Sequence, residues 1–438
     1  MNGLEIGLFL FAAMIALILL RMPIGLAMLL VGGIGYTILS GWTPLIAFLK
    51  TSIYGRAASE PLSVIPLFIL MGQFAIHSGL TRSLFDAARA WFGHWRGGLA
   101  IAAMGSCAAF GTICGSSTAT AATMAQISLP ELRRRGYSDS LATGTLAVGG
   151  TLGILIPPSI TLVIYAVLVE QSILDLFRAA LIPGIIAVVG YMVAISVVVR
   201  IWPTAGAALE RSSWSERFGS LLGVLPVAVI FLLMMGGIYL GWFSVNEGAA
   251  VGIVATGLFA LWSGNMGWSE VRASFLETAK ISGFLFLILI GAELFNSFLA
   301  LAQLPVFLAT WIAEAQFSPF ATVTAMVIFY LLLSSVMDEL AMILLTIPVF
   351  APILLALNFG MSPDAVLVWF GIIALSVVGI GLIAPPIGLN VFIIHSLAKD
   401  VTVAEIYRGV VPFIIADLIR IALIILVPAT ALWLPNLR

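Results

Sequence analysis

Apolar stretches of about 20 residues recur along this chain, and that recurrence restricts its fold more than any other feature. A backbone inside hydrocarbon has no water to bond, so each crossing must satisfy its own N–H and C=O groups, and a helix does this within one segment. The composition agrees: 62% of the 438 residues are hydrophobic and 9% are charged, where soluble domains carry about 25% charge. The fold class that follows is an all-α polytopic membrane protein. A net charge of −1 gives no electrostatic footprint for nucleic acid. No basic segment precedes the apolar run at 4–20, so a cleavable signal peptide is not expected. Cys107 and Cys114 lie too far apart on one expected helix for a disulfide and read as small packing residues.

Full crossings are expected near 4–20, 23–40, 61–78, 140–169, 176–200, 220–242, 248–263, 281–301, 364–397 and 406–434. The apolar regions 98–130 and 319–357 differ. In the first, Ser/Thr-rich "CGSSTATAATM" (114–124) separates arms of about 15 and 12 residues, each short for about 30 Å of hydrocarbon. A re-entrant hairpin with a polar tip is expected in both regions.

Basic residues assign the sides. With the N-terminus on one side, that side holds four: Lys50, Arg56, Arg178 and Arg438. The other side holds 14: Arg21, Arg82, Arg89, Arg96, Arg133, Arg134, Arg135, Arg200, Arg211, Arg217, Arg272, Lys280, Lys399 and Arg408. The positive-inside rule makes the richer side cytoplasmic and puts both termini outside. The parity is the same whether the hairpins cross twice or not at all.

The chain also repeats itself. "ILIPPSITLVIYAVLVEQ" (154–171) returns as "LIAPPIGLNVFIIHSLAK" (382–399), and "SSTATAATMAQISLP" (116–130) aligns with "SSVMDELAMILLTIP" (334–348) at offset 218. "FRAALIP" (177–183) echoes "YRGVVP" (407–412), and Gly25 and Gly41 match Gly248 and Gly264. Two units are expected: 1–219, with hairpin 98–130 and broken helix 140–169, and 220–438, with hairpin 319–357 and broken helix 364–397. Five crossings per unit is an odd number, so the second unit should sit inverted. Inverted repeats with discontinuous helices are an architecture of secondary transporters.

Pro157-Pro158 and Pro385-Pro386 interrupt otherwise apolar spans. Each proline lacks an N–H and costs about 3 kcal/mol or more in a helix interior. With Gly149, Gly150 and Gly153 before one pair, and Gly379 and Gly381 before the other, the stretches 150–157 and 379–385 are expected to unwind at mid-depth. Carbonyls freed there and hydroxyls of the hairpin tips would suit a desolvated Na⁺, and half-helix N-termini would suit a carboxylate. The blander alternative is that Ser and Thr bond back to their own helix or permit close packing. That reading is preferred for Thr120 and Thr123, and the site reading for Gly115-Ser116-Ser117-Thr118 and Ser334-Ser335.

Asp338 and Glu339 follow the second tip and read either as a site or gate or as a helix N-cap. Asn390 lies four residues beyond the second double proline and could line the site. Asp417 and Arg420, spaced i, i+3, are expected to pair on one helix face. Glu293 and Asn296 form a similar polar pair, and His77 and His395 read as structural. Segments 44–57, 81–96, 266–279 and 303–315 are amphipathic and would lie along the membrane surface as connecting arms.

"GTICGSSTATAATM", "LPELRRRGYSDSLATGTLAVGGTLGILIPPS" and "GLIAPPIGLNVF" resemble the large membrane subunit of tripartite ATP-independent periplasmic (TRAP) transporters over nearly the whole chain. The resemblance implies an elevator-type transporter of the bacterial inner membrane. It implies Na⁺ coupling, a small four-helix membrane partner and a periplasmic substrate-binding protein. It implies organic acid substrates such as C4-dicarboxylates and sialic acids. No four-helix block precedes residue 4, so the small subunit is expected on a separate chain. Carried onto this sequence, one Na⁺ site would combine Ser116 and Ser117 with Gly150, Gly153 and Pro157. The other would combine Ser334, Ser335 and Asp338 with Gly379, Gly381 and Pro385. Ser116, Thr118, Pro158, Asp338 and Asn390 would face the substrate. Coordination in the family is largely by backbone carbonyls, so side-chain identity constrains it weakly.

A stand-alone Na⁺/anion symporter of related architecture is the alternative. An intramembrane enzyme is disfavoured, since no HExxH motif and no Ser–His or paired-Asp arrangement stands in facing spans. A channel is disfavoured because paired hairpins in inverted repeats suit alternating access. No organic cofactor is expected.

Overall fold

The computed structural model describes residues 2–20, 22–334 and 337–437, and among these every regular element is a helix. In chain order the first half holds α1 (Gly3–Leu19), α2 (Ile24–Ser40), α3 (Trp42–Ala57), α4 (Glu60–His77), α5 (Leu80–Phe92), α6 (Gly98–Cys114), α7 (Ser117–Arg134), α8 (Asp139–Leu155), α9 (Ile160–Leu168) and α10 (Ile173–Ile201). The second half opens with α11 (Trp214–Phe231), which runs through a π-helical turn into α12 (Gly237–Tyr239). Then come α13 (Val245–Trp262), α14 (Trp268–Leu301), α15 (Leu304–Glu314), α16 (Pro319–Ser334), α17 (Glu339–Ala356), α18 (Pro363–Gly381), α19 (Leu389–Leu397), α20 (Val403–Leu426) and α21 (Ala429–Leu432). Among the described residues eight helical stretches are long and apolar enough to cross a membrane, or nine if α8 and α9, bent by 43°, count as one span.

Three expectations need correction. The hairpin arms are longer than the apolar run suggests: α6 and α7 have 17 and 18 residues, about 26 and 27 Å at 1.5 Å per residue. The reason is that α7 continues through Pro130 into the charged turn Glu131–Arg134, and α17 likewise reaches 18 residues. Length alone therefore does not exclude a crossing. Second, the glycines before the double prolines do not unwind the spans. Helix α8 persists to Leu155 and α18 to Gly381, so the breaks are confined to 156–159 and 382–388. Third, 266–279 is not a separate arm. It merges with the following span into α14, of 34 residues. The first half breaks at the equivalent place, where Pro61 occupies the first turn of a new helix, α4. The second half has Ala279-Lys280-Ile281 there, which continues a helix without a lost N–H.

Packing relies on small residues, as expected where lipid removes the hydrophobic drive between helices. Gly25, Gly32 and Gly35 of α2 lie against Ile288, Phe295 and Phe298 of α14 in constant register, so the two helices run parallel. Helices α8 and α18 are buried almost throughout and form the centre of the fold. Behind them, Arg420 Nη2 lies 2.8 Å from Asp417 Oδ1, and Tyr191 Oη donates to both Asp417 oxygens at 2.8 and 2.7 Å. The i, i+3 spacing anticipates the ion pair; the tyrosine comes from α10 and is invisible to spacing. Cys107 and Cys114 are free thiols, and His395 Nδ1 sits 2.9 Å from the Val401 carbonyl.

Polar contacts join the helix ends in two groups. Asn246 donates to Glu60 O at 3.0 Å, Gln171 to Asp364 Oδ1 at 2.9 Å, and Arg178 to Tyr239 O at 3.4 Å. At other ends, Arg133 bridges Asp139 at 2.7 Å and Asp400 at 2.9 Å, Asn265 donates to Ser78 O at 3.1 Å, and Trp91 Nε1 donates to Arg217 O at 3.1 Å. The foot of α7 and the foot of α18 fall in different groups.

Candidate functional site

Gly115 ends α6 in the left-handed conformation that a residue without a β-carbon adopts freely, and Ser116 then caps α7. Ser116 Oγ accepts from Ala119 N at 3.4 Å and lies 3.3 Å from Thr118 Oγ1. The turn between α6 and α7 is therefore only two residues long, and it sits beside the break between α8 and α9. A β-carbon built on Gly115 would lie 3.3 Å from the Pro158 carbonyl oxygen.

The double prolines act through the helical hydrogen bonds they cannot donate. A helical N–H bonds the carbonyl four residues earlier, so Pro157 deprives Gly153 and Pro385 deprives Gly381 of that bond. Both prolines precede a cis peptide bond to the next proline. Each deprived glycine lies against a tip serine. A β-carbon on Gly153 would sit 2.8 Å from the Ser116 carbonyl oxygen and 2.9 Å from Thr120 Oγ1. One on Gly381 would overlap the Ser334 side chain and lie 2.6 Å from its carbonyl oxygen. The two halves thus repeat one arrangement: a carbonyl freed by proline, on a glycine that lets a hairpin-tip serine approach. Oxygens of this kind suit a hard monovalent cation.

The other nominated residues take different places. Gly150 is inside α8, where a β-carbon would meet Ala121, Ser117 O and Asn390 Nδ2 within 3.0 Å; it is a packing position. Gly379 is also helical, and its nearest neighbour is Thr151. Pro158 is buried behind the first tip. Asn390 is fully buried, donating to Ser117 Oγ at 2.8 Å and to Ala147 O at 2.9 Å, so it braces the tip from behind. Ser335 lies outside the described residues.

Ser116, Thr118 and Asp338 meet at a cavity of about 520 Å³, walled also by Gly115, Glu339, Thr161, Phe284 and Leu285. Both hairpin tips therefore open onto one space. Asp338 holds the N-cap position of α17, and its Oδ1 is buried with no hydrogen-bond partner among the described residues; the same is true of Glu339 Oε2. Gly72 and Gln73 of α4 also line the cavity. Sequence reasoning missed them, although Gln73 is a polar residue inside an apolar span. No group of three or more His, Cys, Asp or Glu side chains that could hold a metal occurs among the described residues.

A model of the family described as tripartite ATP-independent periplasmic transporter, DctM component, matches residues 11–430. The chain is 35% identical over 389 residues to the C4-dicarboxylate TRAP transporter large permease protein DctM of Pseudomonas aeruginosa, covering 89% of each. It is 28% identical to the sialic acid TRAP transporter large permease protein SiaM of Vibrio cholerae, covering 97% of each. It is 29% identical to the ectoine TRAP transporter large permease protein TeaC of Halomonas elongata, covering 97% of this chain and 98% of that one. Among solved structures, the Alcanivorax borkumensis YdaH transporter matches with a TM-score of 0.63 at 15% identity, covering 90% of each chain. Neisseria gonorrhoeae MtrF, an antimetabolite efflux pump, matches with a TM-score of 0.56 at 13% identity. These two share a helical transporter fold with the chain.

Proposed function

This chain belongs to the DctM component family of tripartite ATP-independent periplasmic transporters, and from that premise we propose that it imports small organic acids, driven by Na⁺, by an elevator motion across the bacterial inner membrane. It is a multi-pass permease subunit and not an enzyme. It works with a small four-helix membrane subunit and a periplasmic binding protein that delivers the substrate. The relatives' C4-dicarboxylates, sialic acid and ectoine give the substrate range.

One observation carries the ion coupling: the freed carbonyls of Gly153 and Gly381, each against a tip serine, Ser116 and Ser334. One Na⁺ binds around Ser116, Ser117 and Gly153, a second around Ser334, Asp338 and Gly381, and the substrate occupies the cavity between the tips. Coupling follows because tip and ion must close on each other before the substrate site can move.

Residues 1–219 and 220–438 form two inverted units. The two groups of helix-end contacts support this, since Arg133 at the foot of the first hairpin joins one group and Asp364, at the foot of α18, joins the other. The excess of basic residues makes the Arg133 side cytoplasmic and both termini periplasmic. Helices α3, α5 and α15 and the first third of α14 serve as arms.

The test is reconstitution with a small subunit and a binding protein, followed by uptake of labelled organic acids. Accumulation should require an inward Na⁺ gradient. Uptake that proceeds equally without Na⁺ and follows a pH gradient would overturn the coupling.

A further inference from the structure

Among the described residues the cavity between the tips has no lysine, arginine or histidine in its wall, yet it has two carboxylates, Asp338 and Glu339. In a low-dielectric surround an unmatched anion is costly, and a second one beside it more so. Asp338 stands at the N-cap of α17, within the proposed second ion site, so Na⁺ there offsets its charge. Glu339 is left over. Glu339 itself lines the cavity, and its Oε2 has no hydrogen-bond partner among the described residues. Another part of the wall has the opposite character. It includes the N-terminal end of α7, an 18-residue helix, at Ser116 and Thr118, where the helix dipole favours a negative group. Phe284 and Leu285 close a third side with apolar surface.

We infer that this cavity selects a compact zwitterion, with its carboxylate at the Ser116–Thr118 end of α7 and its cationic nitrogen against Glu339. The inference rests on the site reading above and narrows it. A dicarboxylate of the same length would bring its second carboxylate against Glu339 with no counter-ion in the wall. Glu339 is a specificity-determining residue, and Asp338 remains with the ion.

Cys114 lines the cavity, so its conversion to a methyl disulfide by a thiosulfonate, which releases the sulfinate, reports occupancy without any transport assay. The purified chain, carrying Cys107→Ala to remove the other thiol, is treated with methyl methanethiosulfonate in Na⁺. Two matched pairs serve as protectants: succinate and 4-aminobutyrate, and glutarate and 5-aminovalerate. The aminocarboxylates should half-protect at concentrations about 10-fold or more below those of the dicarboxylates. Glu339→Gln should erase that preference and Glu339→Asp should keep most of it, which separates charge recognition from damage to the fold. Protection by the dicarboxylates alone, or a preference unchanged in Glu339→Gln, overturns the zwitterion while leaving the cavity as the substrate site. Protection by neither class overturns both.

Discussion

Asn390 of α19 donates to Ser117 Oγ of α7 at 2.8 Å, a bond between residues 273 apart in sequence. It fixes the first hairpin tip to the broken helix of the other half, and the same amide also holds the Ala147 carbonyl of α8 at 2.9 Å. Asn390→Ala removes both donations and leaves a buried void. The expected outcome is a loss of about 1–3 kcal/mol, the cost of leaving buried polar groups unsatisfied. In the reconstituted transporter the half-saturating Na⁺ concentration should rise. Unchanged Na⁺ dependence would mean that the tip does not need this brace.

Gly153→Ala and Gly381→Ala should each block Na⁺-driven uptake, because the new β-carbon occupies the space of the tip serine beside it. Gly219→Ala, where a β-carbon meets open space, is the control and should transport normally. Membrane insertion, followed by fluorescence of a C-terminal fusion, should be the same for all three. Near-normal uptake by Gly153→Ala would remove the first ion site from its proposed place.

Breaking the buried pair should cost more than deleting it. Asp417→Leu strands the Arg420 guanidinium inside the fold, a loss of about 3–5 kcal/mol. The double variant Asp417→Leu/Arg420→Leu should recover most of the melting temperature in detergent. A double variant as unstable as the single one would show that Tyr191, which donates to Asp417, is the larger contributor.

The Arg133 hydrogen bond to Asp400 holds that carboxyl below the usual aspartate range. A depressed carboxylate stabilises the fold above its unfolded pKa of about 3.9, and the contribution disappears as pH falls through the lower folded value. The difference in melting temperature between wild type and Asp400→Asn should therefore be small but positive at pH 7 and vanish in strong acid. An equal difference at every pH would show that charge has no part in it.

Orientation can be read directly. Cysteines at Asn2 and Asn436, in a chain lacking Cys107 and Cys114, should react with impermeant thiol reagents in spheroplasts. Labelling only in inverted vesicles would place both termini in the cytoplasm.

The helical class was legible because 20-residue apolar runs have no other solution in lipid, and the pairing of Ser116 with Ser334 came from the constant offset. The extent of unwinding was not legible. Glycine lowers helix propensity by about 1 kcal/mol, and that cost reads as a break when summed along the chain. Inside the protein, Gly150 and Gly153 instead let α7 approach α8, and packing overrides propensity. The breaks come instead at the double prolines, where two donors in a row are missing. Asn390 was placed near the site, yet its role as a brace depends on two helices from the other half that no local pattern connects to it.

The unbroken course of α14 has a mechanical consequence. Its 34 residues make a rod of about 51 Å, whereas α3 and α4 are jointed at Ala58 and Ser59. A rod conveys torque from one end to the other, and a joint absorbs it. Under the proposed elevator motion the two sides of the molecule would act as a lever and a hinge, the central helices turning about the hinge side while the lever side sets their sweep. A proline at Lys280 would give the lever a second hinge and release that constraint.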